Sequence, residues 1–279
     1  MSVIQVGLVD NTRKLDPHFV QEVAAAINIQ VMRDLPQYWN IAATVRALSD
    51  PKQIPPSVWP VFLVPKLPPG EGGVHLDRNN QPYSLVIAHR DSADWTLDAS
   101  HEIIEMLVDP AGNRMHTSRA IEVKGKRVVD TAGEYGYLVE ACDPCEDAKY
   151  GYTISGVTVS DFITPHFYDP MAVAGTRYSF TGALTRPRQV LPGGYISFTN
   201  PRSDRWEQIL WLGSTPQVRD LGPAEGGCLR AFIDNKTNAL VANRRKPNKS
   251  LANCARAHRS RIDAMSAARG AYYATKSCG

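Results

Sequence analysis

No stretch of the 279 residues approaches 18 uninterrupted apolar residues, so no membrane-spanning helix is expected. The first residues, MSVIQVGLVDNTRKLD, lack a basic segment followed by a long apolar run. A secretory leader is therefore not expected, and the cytoplasm is the expected location. Cysteine is scarce, with only Cys142, Cys145, Cys228, Cys254 and Cys278. An odd count at irregular spacing is not a disulfide framework. Cys142 and Cys145 make a C-x-x-C, but no second pair at zinc-knuckle spacing accompanies it. A redox pair would also want a strand-to-helix context, so the two read as reduced thiols near a turn. No internal repeat is present.

What is there suffices for a sizeable core: 43% hydrophobic and 21% charged residues, a globular composition far from the disordered class. The net charge of +3 conceals an asymmetry. Residues 229–279 hold eleven Lys or Arg and two Asp, a balance of +9, which leaves −6 on the first 228. Two regions are expected: a main domain over 1–228 and a basic extension over 229–279. Within the extension, residues 250–274 are rich in alanine and arginine and predict a helix. Its Arg256, Arg259 and Arg269 are not interleaved with aromatics, so base stacking is not indicated. A solvated helix packed by its alanines is the expected state, with contact to a polyanion as the functional alternative.

Residues 3–9, VIQVGLV, predict a strand bounded by Asp10 and Asn11. Asp16-Pro17 opens a helix with Asp16 as N-cap, and apolar residues keep helical spacing from Phe19 to Leu35, before Pro36. Residues 41–48 and 58–64 predict two further strands. Residues 66–82, KLPPGEGGVHLDRNNQP, have the chemistry of an irregular surface loop, and residues 83–88, YSLVIA, predict a strand. A helix over Trp95–Val108 follows, stopped by Pro110. The first 110 residues thus read β-α-β-β-β-α, a mixed sheet with two helices packed on it. Hairpins are expected at 121–133, with Gly125 at the turn, and at 154–163 and 193–198. The expected class is α+β, with a β-rich region after the second helix.

That helix carries the sequence SHEIIEMLVDP. His101, Glu105 and Asp109 follow at four-residue steps and share one face. Two ligands at i and i+4 can reach one metal ion, and the glutamate after the first, Glu102, then points towards a metal-bound water. Asp109 lies about 12 Å along the axis from His101 at 1.5 Å per residue, so it suits a supporting or helix-terminating role. Residues 139–146, VEACDPCE, offer Glu140 and Asp143, while His116 is a further alternative. Read blandly, the same face is the solvated side of an amphipathic helix with Ser100 as its N-cap. His75, His89 and His116 otherwise read as loop or surface histidines. His166 and Tyr168 could wall a cleft, with a buried structural tyrosine the simpler reading.

The element order, ending in a helix with His-Glu near its start, resembles the N-terminal half of zincin metallopeptidases. More narrowly it resembles uncharacterised bacterial proteins with a His-Glu-x-x-Glu-x-x-x-Asp-Pro helix. The likeness covers residues 1–170 by organisation and is specific at 100–110 and 139–146. It implies a zincin-like mixed sheet with an active-site helix, His101 and Glu105 as zinc ligands, and Glu102 as general base. In the glutamate-type zincins the third ligand is a downstream Glu, which places Glu140 in that role and Asp143 in the orienting one, with Asp143 as alternative ligand. The strand 83–88 would be the edge along which a peptide substrate lies. The departure is Glu105, where zincins commonly carry a second histidine. The expected function is a zinc hydrolase, most simply a peptidase. The alternatives are a non-catalytic protein holding a structural ion such as Ca²⁺ and an assembly component, such as a phage-related protein, without metal.

Overall fold

The computed structural model describes residues 3–67, 72–79, 81–225 and 228–241. The basic segment expected to be helical at 250–274 lies outside these. Over the described residues the chain is an α+β protein built on two five-stranded sheets and a two-stranded one.

Strand β1 (Ile4–Asp10) leads into helix α1 (Pro17–Ile29), where the Asp16 carboxylate accepts from the His18 N–H at 2.8 Å and Pro17 occupies the first turn. That is the expected start. The helix does not stop before Pro36. It widens into a π turn over Gln30–Asp34, with the Leu35 N–H reaching the Gln30 carbonyl, and resumes as α2 (Pro36–Trp39). A proline lacks an N–H to donate, and the wider turn carries the helix past it. Asn40, in the left-handed region at φ 46°, ends the run.

Next come β2 (Ala43–Leu48), β3 (Val58–Val64), β4 (Gly73–Arg78) and β5 (Gln81–Ile87), which with β1 form one sheet in the order β2-β1-β3-β5-β4. All pairings are parallel except β4 with β5. Two expectations need correction here. The stretch 66–82 is not wholly loop, because residues 73–78 form β4. The strand expected at 83–88 is not the edge: β5 lies between β3 and β4, and β4 is the edge. The proline and glycines before Val74 mask a short alternating segment that pairs antiparallel with β5.

Helix α3 (Asp94–Val108) packs against β4 and β5. It lies beside α1, since Phe19 and Trp95 meet edge to face with ring centroids 5.4 Å apart. It begins at Asp94 with Ala93 as N-cap, so Ser100 is not the cap. Ser100 is buried within the helix, its hydroxyl donating to Gln30 Oε1 at 2.8 Å and accepting from the Ser160 N–H at 2.9 Å. Gln30 Nε2 in turn donates to the Ser160 carbonyl. This closed network ties α3 to the π turn and leaves its members satisfied.

The second sheet is antiparallel, with the order β12-β11-β10-β7-β6. It comprises β6 (Met115–Lys124), β7 (Arg127–Leu138), β10 (Tyr195–Asn200), β11 (Arg205–Leu210) and β12 (Gln217–Gly222). Gly125, at φ 61°, makes the β6–β7 turn that glycine allows. In sequence between β7 and β10 comes the separate hairpin of β8 (Tyr152–Ile154) and β9 (Val157–Val159), which packs against α1 and α3. One apolar core, from Val6 and Ile27 through Ile104 to Tyr137 and Phe198, runs through both sheets. Helix α4 (Leu229–Val241) sits over a smaller cluster in which Phe232 and Ile233 pack with Leu138, Trp206 and Leu221. Among the described residues no helix is long and apolar enough to cross a membrane.

Candidate metal centre

Helix α3 is buried nearly all round, not only on its apolar stripe. His101, Glu102, Glu105 and the following Asp109 are each at most 9% exposed. A solvated polar face is therefore excluded as the account of SHEIIE. Ionisable side chains in such a place need partners.

Three other elements supply those partners. The first is β4, whose His75 is 2% exposed. This corrects its reading as a loop or surface histidine, whereas His89 and His116 are exposed as expected. His75 Nε2 lies 3.1 Å from the Asp109 carbonyl, and its Nδ1 faces Glu102 Oε2 at 3.7 Å and Glu105 Oε2 at 3.8 Å. The Asp109 carboxylate accepts from the Asn113 and Arg114 N–H groups, which is the helix-terminating role expected of it. Two residues before His75, Gly73 makes room for Glu102. A β-carbon there would stand 2.6 Å from Glu102 Cγ and 2.7 Å from its Oε1.

The second is the segment after β7. It is pinned by the Val139 N–H to the Arg114 carbonyl, the Ile163 N–H to the Ala141 carbonyl and the Leu191 N–H to the Pro144 carbonyl. Pinned in this way, it points the Cys142 N–H at Glu105 Oε1, at 3.0 Å. It also sets Asp143 Oδ1 3.1 Å from His101 Nε2, which lies 3.4 Å from Glu105 Oε2. The expected neighbour of His101 was Glu140, and the position next to the imidazole is held by Asp143 instead. Glu140 is buried in the same cluster, its Oε1 3.6 Å from Arg230 Nε. The reason is the single 3-10 turn over Asp143–Cys145, which swings the second acidic residue towards α3. Cys142 and Cys145 are free thiols, both held well above the ordinary thiol pKa by burial.

The third is α4, and nothing local in the sequence announced it. Its first turn docks on the turn after α3 through Leu229 N–H to Asn113 Oδ1 and Arg230 N–H to the Gly112 carbonyl. Arg230, 4% exposed, then reaches into the cluster. Its Nη1 stands 2.5 Å from Glu105 Oε2, its Nε 3.0 Å from Asp234 Oδ1, and its Nη2 3.8 Å from Asp143 Oδ2. In sequence, Arg230 and Asp234 make an ordinary i,i+4 pair of the kind found on solvated helices.

The cluster attracts positive charge. Burial opposes a charged His101, yet Glu105 and Asp143 beside it hold its pKa well above the ordinary histidine value. Burial likewise opposes a charged Glu105, but Arg230 and then His101 draw its pKa below the usual carboxylate range. Glu140 goes the other way, pushed up by burial and by Asp143.

The donor atoms fit a metal ion. His75, Glu102 and Glu105 form one buried group, and His101, Glu105 and Asp143 another, with the ligand atoms of each within 4.8 Å of one another. His75 Nδ1, Glu102 Oε2, Glu105 Oε2, both oxygens of Asp143 and both of Glu140 are buried without a hydrogen-bond partner. The short contacts among them, including Arg230 Nη1 to Glu105 Oε2, are close but poorly aligned for hydrogen bonds. Such atoms converge on a shared space instead of on each other. Ligands about a tetrahedral ion with bonds of roughly 2.1 Å stand about 3.4 Å apart, close to the His101 separations. Comparison of the sequence with protein-family models and curated proteins, and of the fold with solved structures, returned no match.

Proposed function

We propose that this protein is a metal-dependent hydrolase, with zinc as its ion and a peptide or protein as its substrate, on a zincin-like scaffold. His101, Glu105 and Asp143 would hold the ion. The observation that carries this is the convergence, from α3 and the segment after β7, of the His101 nitrogen with buried, partnerless oxygens of Glu105 and Asp143. A nitrogen donor in each group favours zinc over calcium, which takes oxygen ligands.

When bound, the ion would supply Lewis acidity, polarising a carbonyl and acidifying water. The chain's own residues do the rest. Cys142, through its N–H, holds the Glu105 carboxylate in place. Glu102, with Oε2 buried and unpartnered, is the proton acceptor. Strand β4 has a single strand neighbour, β5, among the described residues, so an extended peptide can add along its other side beside α3.

The test is zinc content and peptide hydrolysis by full-length protein purified without a histidine tag, before and after chelation. Stoichiometric zinc, with hydrolysis lost on chelation and regained on zinc return, is the expected result. Protein that takes up no divalent ion from a zinc buffer overturns the reading.

One observation favours a second reading. Arg230 places a cation against Glu105, Glu140 and Asp143 without any metal, as a non-catalytic or assembly protein holding its fold by buried charge would. In that case Arg230→Met unfolds the protein and zinc does not rescue it.

A further inference from the structure

His75 carries the argument. A carbonyl oxygen only accepts, so the contact with Asp109 assigns the ring proton to Nε2. In the neutral ring Nδ1 then presents a lone pair. That lone pair, on a side chain 2% exposed, faces one oxygen of Glu102 and one of Glu105; none of the three makes a hydrogen bond, and only the Glu105 oxygen has a cation, Arg230, against it. Three electron-rich atoms buried around one space repel one another unless a cation lies between them. Separations of 3.7 and 3.8 Å are too long for hydrogen bonds and suit ligands around a common ion. A histidine whose far nitrogen is tied to a carbonyl is also the usual arrangement of a metal ligand, since that bond fixes the tautomer.

The two histidines fall in separate groups, and Glu105 belongs to both. We infer that the protein holds a second divalent cation between His75, Glu102 and Glu105, with Glu105 shared by the two ions. The inference rests on the hydrolase reading for its first ion. Two-ion hydrolytic sites hold their metals about 3.5–4 Å apart, a spacing one bridging carboxylate can span. In the two-ion form Glu102 is a ligand, and its assignment as proton acceptor belongs to the one-ion form.

The experiment titrates metal-stripped, full-length protein with Co²⁺. Visible absorption is followed, and bound cobalt is counted per chain by equilibrium dialysis. Two equivalents are expected in the wild type. One is expected in His75→Asn and one in His101→Asn, with different spectra because different ligand sets remain. One equivalent in the wild type, unchanged in His75→Asn, overturns the second ion and leaves the hydrolase reading standing. No bound cobalt overturns both. Should His75→Asn fail to fold, Glu102→Gln, which keeps the volume and removes the charge, is expected to bind one equivalent. Two equivalents at undiminished affinity in that variant overturn the inference.

Discussion

The two sheets differ in kind, and the cluster joins them. The β1–β5 sheet is mostly parallel and carries α3 and β4, which together deliver His75, His101, Glu102 and Glu105. The second sheet is antiparallel, and from its margins come Glu140, Asp143 and, through α4, Arg230. The first half brings two histidines and two carboxylates. The second brings two more carboxylates and the arginine that partly offsets them. Neither half can bury its share alone, because each leaves like charges together at low dielectric. The candidate metal centre is therefore also where the halves are coupled.

Glu105 is the most direct place to break that coupling. It touches His75, His101, Arg230 and the Cys142 N–H. Glu105→Ala is expected to abolish zinc binding and to cost about 3–5 kcal/mol in urea unfolding, because Arg230 is left without its closest partner. Unchanged stability would show that the halves do not lean on this residue. Glu102→Gln acts within the first half alone. Hydrolysis should fall by about 10²–10⁴-fold while the fold and the ion at His101 persist, checked by peptide turnover alongside metal content. Arg230→Met removes the second half's contribution while keeping an apolar stem. It is expected to lower the stability of the metal-stripped protein by about 3 kcal/mol and to tighten zinc binding, because a competing cation is gone. Calorimetric zinc affinities no tighter than in the wild type would show that Arg230 and the ion do not compete.

The smallest effect concerns pH. Asp234 is pushed up to about 7, with burial the main cause, opposed by Arg230 and reinforced by Asp143. An unfolded aspartate titrates near 4, so between about 4 and 7 the folded state holds more protons than the unfolded one. Stability from this group is full below that window and declines as pH rises through it. Asp234→Asn is expected to flatten the decline in metal-stripped protein, measured as urea midpoints at pH 4.5, 6 and 7.5.

The first sheet was largely legible in the sequence. Residues 58–64 form β3 as expected, Asp16 caps α1, and α3 begins one residue before its expected start. Local patterning sufficed there because β-branched runs and caps are local signals. It failed at β4, where VHLD is too short to outweigh the glycines and asparagines around it, although the alternation itself was readable. It failed for Ser100, whose hydroxyl looked like a cap and serves a network with Gln30 and Ser160, 70 and 60 residues away. The contact of Asp143 with His101 turned on one 3-10 turn, and Arg230 enters from 125 residues beyond Glu105. No spacing in the sequence encodes such distant meetings.

Gly73 has no functional group, yet it governs where Glu102 can be. The carboxylate occupies the volume that any other side chain at Gly73 would claim. The reach of an acid on a helix is thus metered by a missing methyl on the neighbouring strand. Adding that methyl would push the carboxylate aside without altering a single charge. Shape alone would separate the proposed one-ion and two-ion forms: Gly73→Ala should empty the His75 side while leaving every proposed ligand in the chain.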